Sequence, residues 1–142
     1  MRFEFKELPG VAADYRRPVV PISVEGLENA PQLCLLDTGA LHNRFAAWVA
    51  VSAGIDLVHS EVEKFAVGGF ISEARLTRVQ LALGIHRWEA PVWFCDPWPF
   101  SFHLLGQEGF FRWFDVRVRA ARYTLDITPE TSVAAPARNL SF

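Results

Sequence analysis

The feature that most constrains this chain is the run from Glu61 to Phe94, EVEKFAVGGFISEARLTRVQLALGIHRWEAPVWF, rich in β-branched and aromatic residues and broken at Gly68-Gly69 and at Gly84. Such side chains suit a pleated, half-buried surface, and glycine supplies the backbone freedom of tight turns. The run predicts three strands of a meander. In the middle strand Val79, Leu81 and Leu83 alternate with Arg78, Gln80 and Ala82, so one face is buried and the other wet. The alternation changes phase between Leu76 and Val79, and a bulge is expected there.

The flanking segments continue the pattern. RRPVVPISVEGL predicts a strand running to a turn at Glu25-Gly26, and PQLCLLD a short apolar strand that completes a hairpin. RFAAWVAVSAGI is alanine-rich and ends at Gly54, which predicts a helix over the whole stretch closed by a left-handed glycine. CDPWPFSF, broken by Pro97 and Pro99, reads as an aromatic loop, HLLG as a buried strand end and QEGFFRWF as a brief helix. FDVRVRA alternates Phe114, Val116, Val118 and Ala120 against Asp115, Arg117 and Arg119, and pairs with RYTLDI across a turn at Ala120-Ala121. Its arginines, with Arg112 and Arg122, are expected on a solvated face, pairing with Asp115 and Asp126. The total is mostly β with one or two short helices. Residues 1–128 read as a single domain, and residues 129–142, rich in Pro, Ser and Ala, as a tail that is either flexible or contributes to a dimer.

With 142 residues, half of them apolar and about a fifth charged, the chain has the length and balance of one domain held together by burial. A net charge of −2 without a basic run offers no footprint for nucleic acid or an anionic membrane. The charged, aromatic N-terminal stretch lacks the apolar core that a leader peptide needs, and no apolar stretch reaches spanning length, so a cytoplasmic location is expected. Cys34 and Cys95 each sit in or beside an apolar run and read as buried thiols rather than a disulfide. The four histidines are scattered without metal-ligand spacing, and neither metal nor cofactor is expected.

The chemistry concentrates in CLLDTGALHNRF, where an apolar strand ends in Asp37 and is followed at once by Thr38 and Gly39. A carboxylate at the lip of a buried strand is expensive to keep charged, so it is either used or satisfied. One reading is an Asx-type turn in which Asp37 caps its own loop or starts the next helix. The other is a carboxylate presented in a fixed direction, with Gly39 relieving the backbone and the Thr38 hydroxyl bracing the turn. His42 follows closely and reads as a surface or capping residue.

The order of elements resembles the retropepsin-like aspartic proteases, single-domain relatives of retroviral protease. An apolar strand runs into LLDTGA, a helix follows, AVGGF lies where that family has its flap, LALG and APVWF follow as strands, and LLG with FFRWFDVRVRAARYTLDI matches the glycine signature, short helix and final hairpin. The resemblance spans roughly residues 17 to 128. It implies a closed β-barrel of the acid-protease type, a homodimer in which each chain supplies one catalytic Asp37-Thr38-Gly39 loop, and two carboxylates sharing one proton to activate water. It further implies that Ala40, Gly68, Gly69 and Phe70 hold an extended peptide or protein substrate, the last three from a flap. For those glycines a plain hairpin turn is the competing reading. After the motif, Leu41, His42 and Asn43 stand where the viral enzymes carry acidic residues, and Gln107-Glu108 where they often carry a basic one. A catalytically inactive peptide-binding or dimerisation module on the same fold is the alternative, and a monomeric ligand-binding domain with Asp37 as a cap is a third.

Overall fold

The computed structural model describes residues 1–8 and 15–135. Along the chain run β1 (Arg2–Glu4), β2 (Lys6–Glu7), β3 (Arg16–Arg17), β4 (Val19–Val24), β5 (Gln32–Leu36), β6 (Asn43–Ala46), α1 (Ala47–Ala53), β7 (Glu61–Val67), β8 (Phe70–Leu83), β9 (His86–Asp96) and β10 (His103–Leu105). A wide helical turn (Gln107–Phe111), β11 (Phe114–Arg119), a single 3₁₀ turn (Ala120–Arg122) and β12 (Thr124–Pro129) complete the order. Strands β4, β5, β10, β6, β9 and β8 hydrogen-bond in that sequence, and β4 also pairs with β8, so six strands close into a barrel. β7 extends the sheet from β8, and β1, β12 and β11 form a separate three-stranded sheet. The molecule is mostly β with few helices, as its patterning predicts. Among the described residues no helix is long and apolar enough to cross a membrane.

The meander forms as β7, β8 and β9, with turns at Gly68-Gly69 and Gly84. The expected bulge is absent. β8 and β9 keep one register from Glu73↔Asp96 to Leu83↔His86. What changes is the face that is covered. Val79 and Leu81 turn into the barrel core, whereas Ser72 and Ala74, of opposite parity, are buried on the other side, Ala74 in a cluster with Trp93 and Cys95. One continuous strand therefore belongs to the barrel at one end and to an outer layer at the other.

The first hairpin joins β4 and β5 in the register Val19↔Leu35 to Ile22↔Gln32. Leu36 donates its N–H to the Pro18 carbonyl at 3.0 Å, which sets the phase so that the nitrogen of Pro21 points away from β5. On that side β8 pairs only with Ser23 and Val24, so the missing N–H of Pro21 interrupts no ladder. The turn reaches back to the end of α1. Gly26 has φ +91°, and a Cβ there would lie 2.1 Å from the Ala53 carbonyl oxygen.

The helix is shorter than its alanine-rich sequence predicts. It covers Ala47–Ala53 and ends, as expected, at a left-handed Gly54 with φ 73°. Asn43–Ala46 instead forms β6, parallel to β9 (Asn43↔Val92 through Ala46↔Cys95) and antiparallel to β10 at Leu104↔Arg44. Helix propensity differs by at most about 0.7 kcal/mol per ordinary residue, whereas burying a phenylalanine side chain is worth about 1.5–3 kcal/mol. Phe45, fully buried among Ile22, Cys34, Leu81, Phe94 and Leu105, decides the contest.

The N-terminal strand is a further departure. MRFEFKE alternates Phe3 and Phe5 against charged residues, and β1 pairs with β12 in the register Arg2↔Asp126 to Glu4↔Thr124. Asp126 consequently meets Arg2 at 2.8 Å as well as the expected hairpin partner Arg119 at 3.1 Å. Cys34 and Cys95 are buried free thiols. β12 runs to Pro129, one residue into the segment read as a tail. Residues 131–135 follow without regular structure, the Ala134 carbonyl accepting from Arg112, and the final RNLSF lies outside the described residues.

His103, at the start of β10, is 4% exposed and stacks on Phe45 at 4.8 Å between ring centroids. Its Nδ1 accepts the Ala46 N–H at 3.1 Å, and Nε2 lies 3.1 Å from Gln32 Oε1. With Nδ1 accepting, the neutral ring donates from Nε2, and burial pulls the pKa down to about 4. An unfolded histidine titrates near 6.5, so the contribution of this neutral ring is complete above about pH 6.5 and declines as the pH falls toward 4. Urea unfolding across that window is expected to show a loss on the order of 3 kcal/mol, and His103→Gln to flatten it. An equal decline in wild type and variant would contradict this account.

Candidate functional site

The Asp37 loop sits where three strands meet. β5 and β10 run parallel from His103↔Cys34 to Leu105↔Leu36, and Asp37 extends the ladder by donating its N–H to the Leu105 carbonyl at 2.9 Å. The strand alternation sends Cys34 and Leu36 into the core and Leu33 and Leu35 outward, and Asp37 follows the outward set. Gly39 N–H donates to Asp37 Oδ1 at 2.9 Å, and Ala40 N–H to the Asp37 carbonyl at 3.1 Å. The Asx turn is thus formed. It is also anchored from behind: Gln107 Nε2 donates to the Thr38 carbonyl at 2.7 Å, and the Gln107 and Glu108 N–H groups to the Ala40 and Leu41 carbonyls, both at 2.8 Å. Gly106 makes this approach possible, since a Cβ there would lie 2.6 Å from the His42 carbonyl oxygen and 2.7 Å from that of Ala40. Asp37 and Ala40 are half-buried, and Thr38 and Gly39 exposed. Among the described residues no cation lies within ion-pair distance of Asp37.

The outer face beside this loop can be followed strand by strand. Val19, Leu35, Leu104, Arg44, Trp93 and Leu76 are successive register partners across β4, β5, β10, β6, β9 and β8. The row joins two apolar clusters: Val19, Leu33, Leu35 and Leu104 pack with Leu8 and Phe102, and Trp93 and Leu76 with Phe65, Ala74, Cys95 and Trp98. Arg44 stands between them as the only charge in the row.

The β7–β8 hairpin covers part of this face. The Arg44 guanidinium carbon lies 3.9 Å from the centroid of the Phe65 ring, although β9 and β8 separate their strands in the sheet, so the hairpin curls back over the outside of β9. Its tip is the two-residue turn Gly68-Gly69, with φ +53° and +83°. At Gly68 a Cβ would meet Pro99 at 2.7 Å and Phe100 at 3.1 Å, so the tip is seated on the aromatic loop, and Ser72 Oγ donates to the Pro97 carbonyl at 2.8 Å. That loop is ordered by its own rings, Phe100 stacking on Phe102 at 5.1 Å and Trp98 Nε1 donating to the Phe102 carbonyl at 2.8 Å. Phe70 remains 52% and Ile71 75% exposed. The four loop residues Asp37 to Ala40 are therefore held together, and Gly68, Gly69 and Phe70 form a second group at the hairpin tip. No described hydrogen bond or ring contact joins the two groups within one chain.

Two residues that carry this arrangement escape a sequence reading. Asn43 is fully buried and bridges, its Oδ1 accepting the Gly106 N–H at 3.0 Å and its Nδ2 donating to the Gly109 carbonyl at 3.1 Å. An asparagine inside an apolar strand is the available signal, because a buried amide needs partners. Arg44 is the other, and its neighbours on the face lie far away in sequence. His42 is half-buried against the edge of Trp93, with Nδ1 enclosed and unpartnered. Burial first, then Arg44, lowers its pKa, against the opposing pull of Glu108 and Glu63.

Chemically, an aspartate fixed by its own turn, half-exposed and unpaired by any cation among the described residues, is available to accept a hydrogen bond from a water or another hydroxyl. Asn43→Ala would strand the buried Gly106 N–H and loosen the loop, and is expected to lower the stability by about 1–3 kcal/mol, read as a shift in the urea midpoint; an unchanged midpoint would show that Asn43 is not the anchor. No family model and no curated protein matches the chain.

Proposed function

We propose that the chain is a retropepsin-like aspartic endopeptidase that works as a homodimer. Two copies meet about a two-fold axis with their Asp37 loops face to face. Like charges so close cannot both ionise, so the pair shares one proton. The neutral carboxyl polarises the scissile carbonyl while the ionised one takes a proton from the attacking water, and no covalent intermediate is needed. Titration then belongs to the pair rather than to either copy. Thr38 braces the partner loop through its hydroxyl, and Ala40 with Gly68, Gly69 and Phe70 holds the peptide in extended form. A flap of this kind excludes water as it closes.

The observation that carries the reading is the carboxylate itself. Asp37 is pinned from behind by Gln107 and by the close approach at Gly106, is unpaired by any described cation, and faces the outer side of the barrel that the β7–β8 hairpin partly covers. A structural cap would need none of that anchoring.

A second reading, a peptide-binding or dimerisation module without turnover, draws on the Asx turn already made by Asp37 Oδ1 and on the hairpin tip already seated on Pro99 and Phe100. The two part on one experiment. With an unstructured protein or a peptide mixture as substrate, Asp37→Asn is expected to cut the rate of hydrolysis by about 10²–10⁴-fold or more, with the dimer intact by sedimentation. The rate per chain is also expected to rise with chain concentration as dimers form. An unchanged rate in Asp37→Asn removes the peptidase assignment, and wild-type binding without hydrolysis selects the module.

A further inference from the structure

Arg44 is the charge that the proposed mechanism does not use. It lies in the row Leu35, Leu104, Arg44, Trp93, with an apolar cluster on either side, on the face that Leu35 and Asp37 share. Its guanidinium rests on the Phe65 ring beneath the hairpin, and its NH1 nitrogen is buried without a hydrogen-bond partner. The described carboxylates leave it unpaired: none forms an ion pair with Arg44. Glu63 projects from β7 on the same side as Phe65, but it is exposed and beyond ion-pair distance. Phe65 covers the flat face of the guanidinium and the Cys95 thiol hydrogen-bonds to it, but NH1 is left in its plane without an acceptor. A buried donor without an acceptor is costly, and the donors of an arginine fork match the two oxygens of a carboxylate.

We propose that Arg44 is a specificity-determining residue that selects an acidic side chain, Asp or Glu, in the bound peptide. The proposal rests on the peptide-binding part of the function proposed above. An extended peptide laid over Leu35 and Leu104 and under the hairpin presents alternate side chains to the barrel face. Those next to the apolar clusters are accommodated by burial, and the one that reaches Arg44 gains a charge-assisted hydrogen bond in a site partly closed to water. Phe65 holds the guanidinium in place, so little of its freedom is lost when the carboxylate arrives.

The test uses synthetic decapeptides randomised at every position except a central apolar pair. Cleavage by wild type is expected to yield fragments in which Asp or Glu exceeds Asn or Gln by about ten- to a hundredfold at one fixed distance from the cut, the range of a hydrogen bond to a charged group. Arg44→Leu, which suits the apolar surroundings, is expected to lose the preference while still cutting, and Arg44→Glu to favour Lys or Arg at the same position. Arg44→Gln replaces Leu if circular dichroism shows that the leucine variant is misfolded. Cleavage by wild type without an acidic preference, or the same preference in the Arg44 variants, overturns the proposal and leaves the peptidase reading standing. If wild type cuts nothing, fluorescence anisotropy with Glu- and Gln-containing peptide pairs decides: a preference for Glu that disappears in the Arg44 variants sustains the role of Arg44 while the peptidase reading fails, and equal or absent binding of the two peptides overturns it.

Discussion

The close approach of the backbone at Gly106 governs the candidate site. Two strands from distant parts of the sequence, β5 and β10, lie parallel and adjacent, and the chain between β5 and β6 loops out past their ends. The carbonyls of Ala40 and His42 reach the space that any side chain at position 106 would fill. Because that space is empty, the N–H groups of Gln107 and Glu108 can close on the loop and Asn43 can reach Gly106. Asp37 inherits its direction from this framework. The loop has little freedom of its own, and the orientation of the carboxylate is a property of the barrel rather than of the three residues Asp37, Thr38 and Gly39.

The same framework divides the side chains into two sets. Those pointing inward make a conventional core around Phe45, Leu81 and Leu105. Beside the Asp37 loop those pointing outward are also largely apolar, whereas Arg78, Gln80 and Glu89 keep the far part of the outer face wet, and part of this second apolar layer is covered by the hairpin and the aromatic loop. A face that is apolar, partly covered and bordered by a half-exposed carboxylate suits a guest in extended conformation. Arg44 is the one charge in the row of side chains that joins its two apolar clusters, and on the proposed reading it is the basis for choosing among guests.

The fold was legible wherever the determining signal was local. Alternation in Phe114 to Ile127 and glycine punctuation at Gly68-Gly69 and Gly84 marked hairpins, because turns and neighbouring strands depend on adjacent residues. The signal failed where tertiary contacts outweighed it. Asn43–Ala46 looks helical by composition and is a strand because Phe45 fits the core between β9 and β10. The phase change near Leu76 looks like a bulge and is an exchange of buried faces along an unbroken strand. The alternation of Phe3 and Phe5 was a strand signal, but the partner strand lies more than a hundred residues away. In the candidate site the motif residues stood out in the sequence, whereas Asn43 and Arg44 did not, since what makes each unusual is a neighbour brought close only by the barrel.

The unbroken course of β8 bears on how the cover can move. A lid on two flexible loops swings as a separate body, whereas the β7–β8 hairpin is continuous with a barrel stave and shares its hydrogen bonds as far as Glu73↔Asp96. Lifting it means bending an intact ribbon near Arg75 to Arg78, the stretch where neither face is fully enclosed. On the proposed reading, in which a peptide enters beneath the hairpin, the space above Arg44 and the cohesion of the barrel wall are mechanically linked, so that a stiffer wall is a tighter gate.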